Sequence, residues 1–287
     1  MAEHPPSVLA DALARALPGD TVVLPPGVHA GAVGMVAVPG LTLTSPGPGA
    51  ELRADGRHVG GKAILVVRAP GVRIENIGFR GARVPDGNGA GIRFESGSLW
   101  LERCRFADNE MGLLSGAGPQ MQLVVHRCHF GDAPRHDSGQ LHHLLYVGRI
   151  GSCVVLHSRF GNGWRGHLLK SRARINRVLW SEFIDTPHGE AAYEVEFPEG
   201  GDILLQGNRI EQSAHTRNPA LLSVGAEARG RPQTRLVLRD NVFVSERGAS
   251  VVNPTRFVRL WRERLGQLQV DAEGDRFEGP GLIGLGR

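Results

Sequence analysis

Short apolar runs recur along the chain in one form: apolar–x–apolar, two polar or small residues, then Phe or Ile. Residues 72–79, 99–106 and 123–130 carry it, followed by 154–160, 177–183, 203–210, 236–243 and, more weakly, 270–277. The closing residue falls at Phe79, Phe106, Phe130, Phe160, Phe183, Ile210, Phe243 and Phe277, in steps of 23 to 34 residues. Alternation of period two predicts half-buried strands, and a fixed spacing predicts stacked repeats. Steps of this length are about one coil of a three-sided β-solenoid. In such a coil each strand pairs with its counterparts above and below, and alternate side chains fill a narrow core.

A second strand type lies between these segments. It covers residues 91–96, 112–116, 144–148, 168–172, 192–196, 221–225 and 250–254, each run too short for a helix and bounded by Gly, Pro, Asn or Asp. The N-terminal stretch 7–17 is amphipathic, with Ser7 placed as N-cap, and predicts a helix that covers the open edge of the first coil. Residues 18–20 (Pro-Gly-Asp) stop it. The segment 256–266 reads as a lateral strand or short helix rather than a further coil. A β-sandwich is the competing all-β arrangement, but spacing near 24 residues with aromatic and small positions in register speaks against it.

Composition changes this picture little. Forty glycines and eighteen prolines spread over 287 residues fit many turns and few helices, and 41% hydrophobic residues fit a folded core. Of 33 basic residues only Lys62 and Lys170 are lysines, and the net charge is +4. An arginine-rich surface suits an acidic polysaccharide or oligosaccharide. Nucleic acid is not expected, because no basic run interleaves with aromatics. No stretch reaches the roughly 18 apolar residues of a membrane span. The start, Met1 to Pro6, lacks the basic and apolar regions of a secretory leader. That makes the expected compartment cytoplasmic, or periplasmic or secreted if a leader has been removed. Cys104, Cys128 and Cys153, spaced 24 and 25 residues apart, predict a stacked ladder in the core rather than disulfides.

Three consecutive strands of the second type concentrate the chemistry. Stacked with an offset of 24, residues 143–148, 167–172 and 191–196 put Leu145, Leu169 and Tyr193 in one inward column and Val147, Ser171 and Val195 in another. The outward rows are then Tyr146–Lys170–Glu194 and Gly148–Arg172–Glu196, with Gly148 and Gly225 leaving room for a ligand. The pattern fits an exterior ion-pair ladder or an acid/base site. Lys170 is notable because Lys can be tuned to lose its proton and Arg cannot. His143 and His167 recur at one coil position, and His142 beside them is within reach of the same groove. No ligand set for zinc, Gly-x-Ser-x-Gly elbow or phosphate loop is present.

Residues 15–27 (Ala-Leu-Pro-Gly-Asp-Thr-Val-Val-Leu-Pro-Pro-Gly, read from Ala16) together with the repeat over about 7–255 resemble the pectin-lyase-like β-helix proteins. Residues 166–173, 190–201 and 207–208 resemble bacterial right-handed β-helix repeat proteins. The fold class implied is all-β: a single-stranded right-handed parallel β-helix (solenoid) with an N-terminal capping helix at 7–17. Stacked coils would run over about 21–255, with a closing segment at 256–287. The Lys-Ser pair at Lys170 is similar to the chondroitinase B and alginate lyase family, in which a strand Lys is the base and an Arg about one coil on assists. Here the positions one coil on carry Tyr193, Glu194 and Glu196 instead of that Arg. Polygalacturonases need clustered Asp on adjacent coils, and the three central strands carry no Asp; the calcium site of pectate lyases needs a similar acidic cluster. Residues 185–189 (Asp-Thr-Pro-His-Gly) only partly match the Asp-Pro-His-Asp of alginate epimerases.

The activity expected is β-elimination on a uronate-containing glycan. Arg172 neutralises the uronate carboxylate, Lys170 or His143 removes the C5 proton, and Tyr146 protonates the leaving oxygen. His167, Tyr193, Glu194, Glu196 and Glu227 are the candidates for substrate binding. Calcium held at Glu194 and Glu196 is compatible with the pattern and not required by it. The alternatives are hydrolysis by paired glutamates (Glu194 with Glu196 or Glu227) and a non-catalytic glycan-binding or structural solenoid.

Overall fold

In the computed structural model, which describes residues 8–135, 139–216, 218–229 and 233–285, the chain winds as a parallel β-helix. Among the described residues one sheet of 17 strands and one of ten carry the coils. Every named strand pairing is parallel, as expected when each strand meets its counterpart in the next coil. The 17-stranded sheet spans two faces, because the long strands Ala63–Glu75 and Ala90–Glu102 each run through both. No helix among the described residues is long and apolar enough to cross a membrane.

The ten-stranded sheet holds the landmark column. Phe79, Phe106, Phe130, Phe160 and Phe183 stack at centroid separations of 4.2 to 5.0 Å with their rings nearly parallel, and all are buried. Identical rings one coil apart lie at the natural spacing of parallel strands, so the repeat builds its own aromatic stack. Ile210 continues the column between Phe183 and Phe243.

Two residues before each landmark from Phe106 onward runs a ladder of Cys104, Cys128, Ser158, Ser181, Asn208, Asn241 and Asp275. From Cys104 to Asn241, each backbone N–H donates to the next member's side chain at 2.9 to 3.4 Å. The preceding residues turn the chain through the left-handed region, as at Arg127 and Trp180. Cys104 and Cys128 therefore satisfy a turn as well as fill space. Cys153 does not belong to this ladder. It pairs in register with Leu123 and Asn176 on another face, so its spacing of 25 residues is coincidental. All three thiols are free and buried.

The ends differ from expectation in length more than in kind. The helix runs Val8–Arg15, and Leu9 and Leu13 cover the strand Gly34–Val36, where a side chain at Gly34 would collide with Leu13. Ser7 lies outside the described residues. At the other end the coils do not stop at 255: Arg256–Leu260 pairs with Ala220–Val224, and Gln267–Glu273 and Arg276–Glu278 add the remaining two sides. Residues 250–254, assigned by sequence to this strand position, form an exposed loop with Val251 and Val252 in solvent. The strand 256–260 is the true counterpart of the strand above.

Candidate functional site

The second strand type forms the face on which the site is built. Leu145–Val147 pairs with Leu169–Ser171 at the expected offset of 24, Tyr146 opposite Lys170. The next coil is two residues longer: Leu169 pairs with Val195 and Lys170 with Glu196. The expected rows are therefore corrected. The outward row is Tyr146–Lys170–Glu196, continuing to Ser223. Tyr193 leaves the leucine column and joins His143 and His167, their rings stepping 4.8 and 5.1 Å apart.

Glu194 moves inside. It takes the core position that Leu168 and Leu221 occupy in adjacent coils, is fully buried, and neither carboxyl oxygen finds a hydrogen bond among the described residues. Burial, with Asp185 adding to it, drives its pKa well above the ordinary carboxylate range. The unfolded chain ionises Glu194 above its ordinary value near 4.5 while the folded chain keeps it protonated, so stability is lost as pH rises above that value. Glu194→Leu should therefore raise stability by about 1–3 kcal/mol at neutral pH and by less near pH 4. Thermal unfolding at the two pH values checks this, and a loss on substitution at neutral pH would contradict it.

Asp185 braces the longer coil. Its carboxylate accepts the backbone N–H groups of Gly163 and Ala191 at 2.7 and 2.8 Å. Burial nonetheless pushes it up to about 7. The partial likeness of residues 185–189 to an epimerase motif thus lies in a structural turn.

On the outward row Lys170 is enclosed by carboxylates: Nζ lies 3.2 Å from Glu196 Oε2 and donates to Glu227 Oε1 at 2.8 Å. Arg172 donates to the other Glu227 oxygen and to the Tyr146 hydroxyl, with its guanidinium carbon 5.0 Å from the centre of the tyrosine ring. Arg172 also approaches Glu199 at 3.5 Å, and Glu199 is held by Arg149 at 2.6 Å. Burial pushes Glu196 up, but His167 and Lys170 more than offset it and hold the carboxyl below its ordinary range. Glu227 behaves alike, burial being outweighed by hydrogen bonds from Lys170 and Arg172. Three cations and three carboxylates thus interlock.

Backbone donors fix both histidine tautomers. The N–H of His167 donates to His143 Nδ1 at 2.9 Å, and that of Tyr193 to His167 Nδ1 at 3.2 Å. An N–H cannot accept, so each neutral ring carries its proton on Nε2. Burial is the main cause that drives His143 well below the ordinary imidazole range, with His167, Lys170 and Arg172 adding to it. For His167 burial lowers the value against the opposing pull of Glu196, whose Oε2 lies 2.9 Å from Nε2. His143 can donate from Nε2 toward the groove, but Nδ1, its only acceptor, is occupied. The expectation that it removes a proton is thereby corrected.

The groove above these residues has a volume of about 820 Å³, with Lys62, Arg93, His143, Tyr146, Arg172 and Glu227 among its lining. Both lysines of the chain thus sit at this face, Lys62 at the groove's far end in an ion pair with Glu95. A second cavity of about 800 Å³ shares Arg149 and Glu227 with it and adds Glu199, Arg229 and Arg264. Sequence reasoning missed Arg149 and Glu199, which flank strands rather than lie in them. His142 is buried and pairs through its backbone with Trp164 and Arg165, away from this lining. Gly225 does not open space, because Leu265 packs where its side chain would be. Gly148 does line the groove, close against Gly116 of the coil above. Glu194 and Glu196 cannot share a cation, one being in the core and the other ion-paired outside. Among the described residues no group of three or more His, Cys, Asp or Glu could hold a metal ion.

No protein-family model matches the chain, and no curated protein sequence matches it. Two solved structures share the fold. An alginate lyase from Paenibacillus sp. str. FPU-7 is similar over 94% of this chain and 95% of its own, with a TM-score of 0.65 and 15% identity. A GH136 lacto-N-biosidase from Eubacterium ramulus is similar over 93% of this chain and 63% of its own, with a TM-score of 0.55 and 10% identity.

Proposed function

We propose that the chain is a polysaccharide-active enzyme that cleaves a uronate-containing glycan by β-elimination in the groove above Tyr146 and Arg172. The winding is taken as right-handed, as parallel crossover connections almost always are. The observation that carries the reading is the Arg172–Tyr146 contact at the groove floor, backed by Lys170. Elimination at C5 of a uronate needs the carboxylate neutralised, the C5 proton removed and the glycosidic oxygen at C4 protonated. Arg172 and Lys170 supply the fixed positive charge, which stabilises the developing enolate.

Lys170 Nζ is engaged by Glu196 and Glu227, Glu227 is engaged by Lys170 and Arg172, and His143 Nδ1 already accepts a backbone N–H. The proton transfers are therefore assigned to Tyr146. Arg172 donates to its oxygen, which is the partner a phenolate requires. As phenolate Tyr146 takes the C5 proton. It then returns a proton to the C4 oxygen as that C–O bond breaks and the C4–C5 double bond forms. His143 Nε2–H lies beside it as a donor to a substrate oxygen, the two rings 5.3 Å apart.

Hydrolysis by paired glutamates fits less well. It needs one carboxyl kept protonated at the substrate. Glu196 and Glu227 are both held below the ordinary range, and Glu194, the protonated one, lies in the core. The two fold neighbours, one a lyase and one a glycosidase, support glycan chemistry without separating the two reactions. Incubation with a panel of polyuronates should give an unsaturated product absorbing near the ultraviolet edge with at least one of them. Reducing ends released without that absorbance would overturn elimination.

A further inference from the structure

We infer that Glu227 is a displaceable internal carboxylate: in the free protein it occupies the place of the substrate's carboxylate, and the arginine-lined second cavity receives it when a uronate binds. This rests on the uronate reading of the same groove and adds how that groove selects its ligand.

Glu227 bonds through both oxygens to the two cations that the chemistry requires, Oε1 to Lys170 at 2.8 Å and Oε2 to Arg172. One carboxylate bridging two cations is the arrangement a uronate would adopt. The exposures are unequal: the Glu227 side chain is 45% exposed, against 10% for Lys170 and 13% for Arg172. A surface carboxylate thus covers the buried Lys170 and the partly buried Arg172, and rotation about its own side chain suffices to uncover them. The loop that carries it is pinned through its backbone, Glu227 N–H to Pro198 O at 2.7 Å and Ala228 N–H to Gly225 O at 3.1 Å. Movement is therefore confined to the side chain.

A destination exists. Glu227 lines both cavities, and the second presents Arg149, Arg229 and Arg264. Displaced from Lys170 and Arg172, its carboxylate meets other guanidinium groups rather than open water, which lowers the cost of the exchange. A neutral sugar offers nothing to replace the lost ion pairs. A uronate replaces both, so the plug favours carboxylated ligands over neutral ones.

A double-mutant cycle tests this, with calorimetric binding of oligomannuronate, oligoguluronate and oligogalacturonate hexasaccharides in a Tyr146→Phe background that prevents turnover. Glu227→Gln should tighten binding of the preferred uronate about ten-fold, while methyl-esterified oligogalacturonate gains nothing. Arg229→Ala with Arg264→Ala should weaken binding when Glu227 is present and leave it unchanged in the Glu227→Gln protein. Thermal unfolding of each variant confirms that the fold is intact. Weaker or unchanged binding by Glu227→Gln, or arginine effects that persist without Glu227, would overturn the exchange. So would absence of uronate binding to every variant. The elimination reading is judged separately, on products: if water enters the products while the cycle behaves as described, elimination fails and the displaceable carboxylate stands.

Discussion

Tyr146→Phe should reduce turnover of the preferred polyuronate by about 10²- to 10⁴-fold, with little change in KM or in melting temperature. The substitution removes one oxygen atom. The phenyl ring stays half-buried against His143 and beneath Arg172, so packing is preserved. What disappears is the hydroxyl that Arg172 contacts at the groove floor and to which the proposed proton transfers are assigned. Arg172→Lys should be nearly as damaging, because a single ammonium cannot reach the Tyr146 hydroxyl, Glu227 and Glu199 at once. Steady-state kinetics on both variants check this. A Tyr146→Phe enzyme with more than a tenth of normal turnover would remove Tyr146 from the chemistry.

The second large effect concerns stability. Phe130→Ala should cost about 3–5 kcal/mol in urea unfolding. Phe130 has no measurable exposure and stacks with Phe106 at 4.2 Å and Phe160 at 4.9 Å, so truncation opens a cavity bounded on both sides by rings that cannot follow it. Coils contact only their neighbours, so the deficit is concentrated near the middle of the solenoid and should lower the cooperativity of the transition as well. Val251→Ala, in a fully exposed loop residue, is the matched control and should leave the midpoint unchanged. A Phe130→Ala loss below about 1 kcal/mol would show that the aromatic stack is not what holds the coils together.

The landmark phenylalanines were legible in sequence because a parallel solenoid repeats one environment at every turn, and one environment selects one residue type. The outward cluster was legible for a related reason: Tyr146, Lys170 and Arg172 fall on the outward side of consecutive short strands whose inward positions are apolar or small. The register beyond Lys170 was not. It depends on the loop after Phe183, which is three residues longer than the one after Phe160 and in which Asp185 gathers backbone N–H groups, and nothing in the pattern of 184–192 announces that. Glu194 misled for the same reason, since a glutamate in a leucine column reads as a surface position until its neighbours are fixed. Cys153 shows the opposite hazard, a spacing close to the repeat without membership in the ladder. Glu227 was named for its charge alone; its role became visible only when its carboxylate was seen to close over Lys170 and Arg172.

Cleavage in oxygen-18 water tests the central claim most directly. Elimination breaks the C4–O bond without adding water, so mass spectrometry of fresh products should show no label incorporated by the cleavage and an unsaturated new end. One labelled oxygen per cleaved bond, with saturated ends, would show hydrolysis and contradict the account.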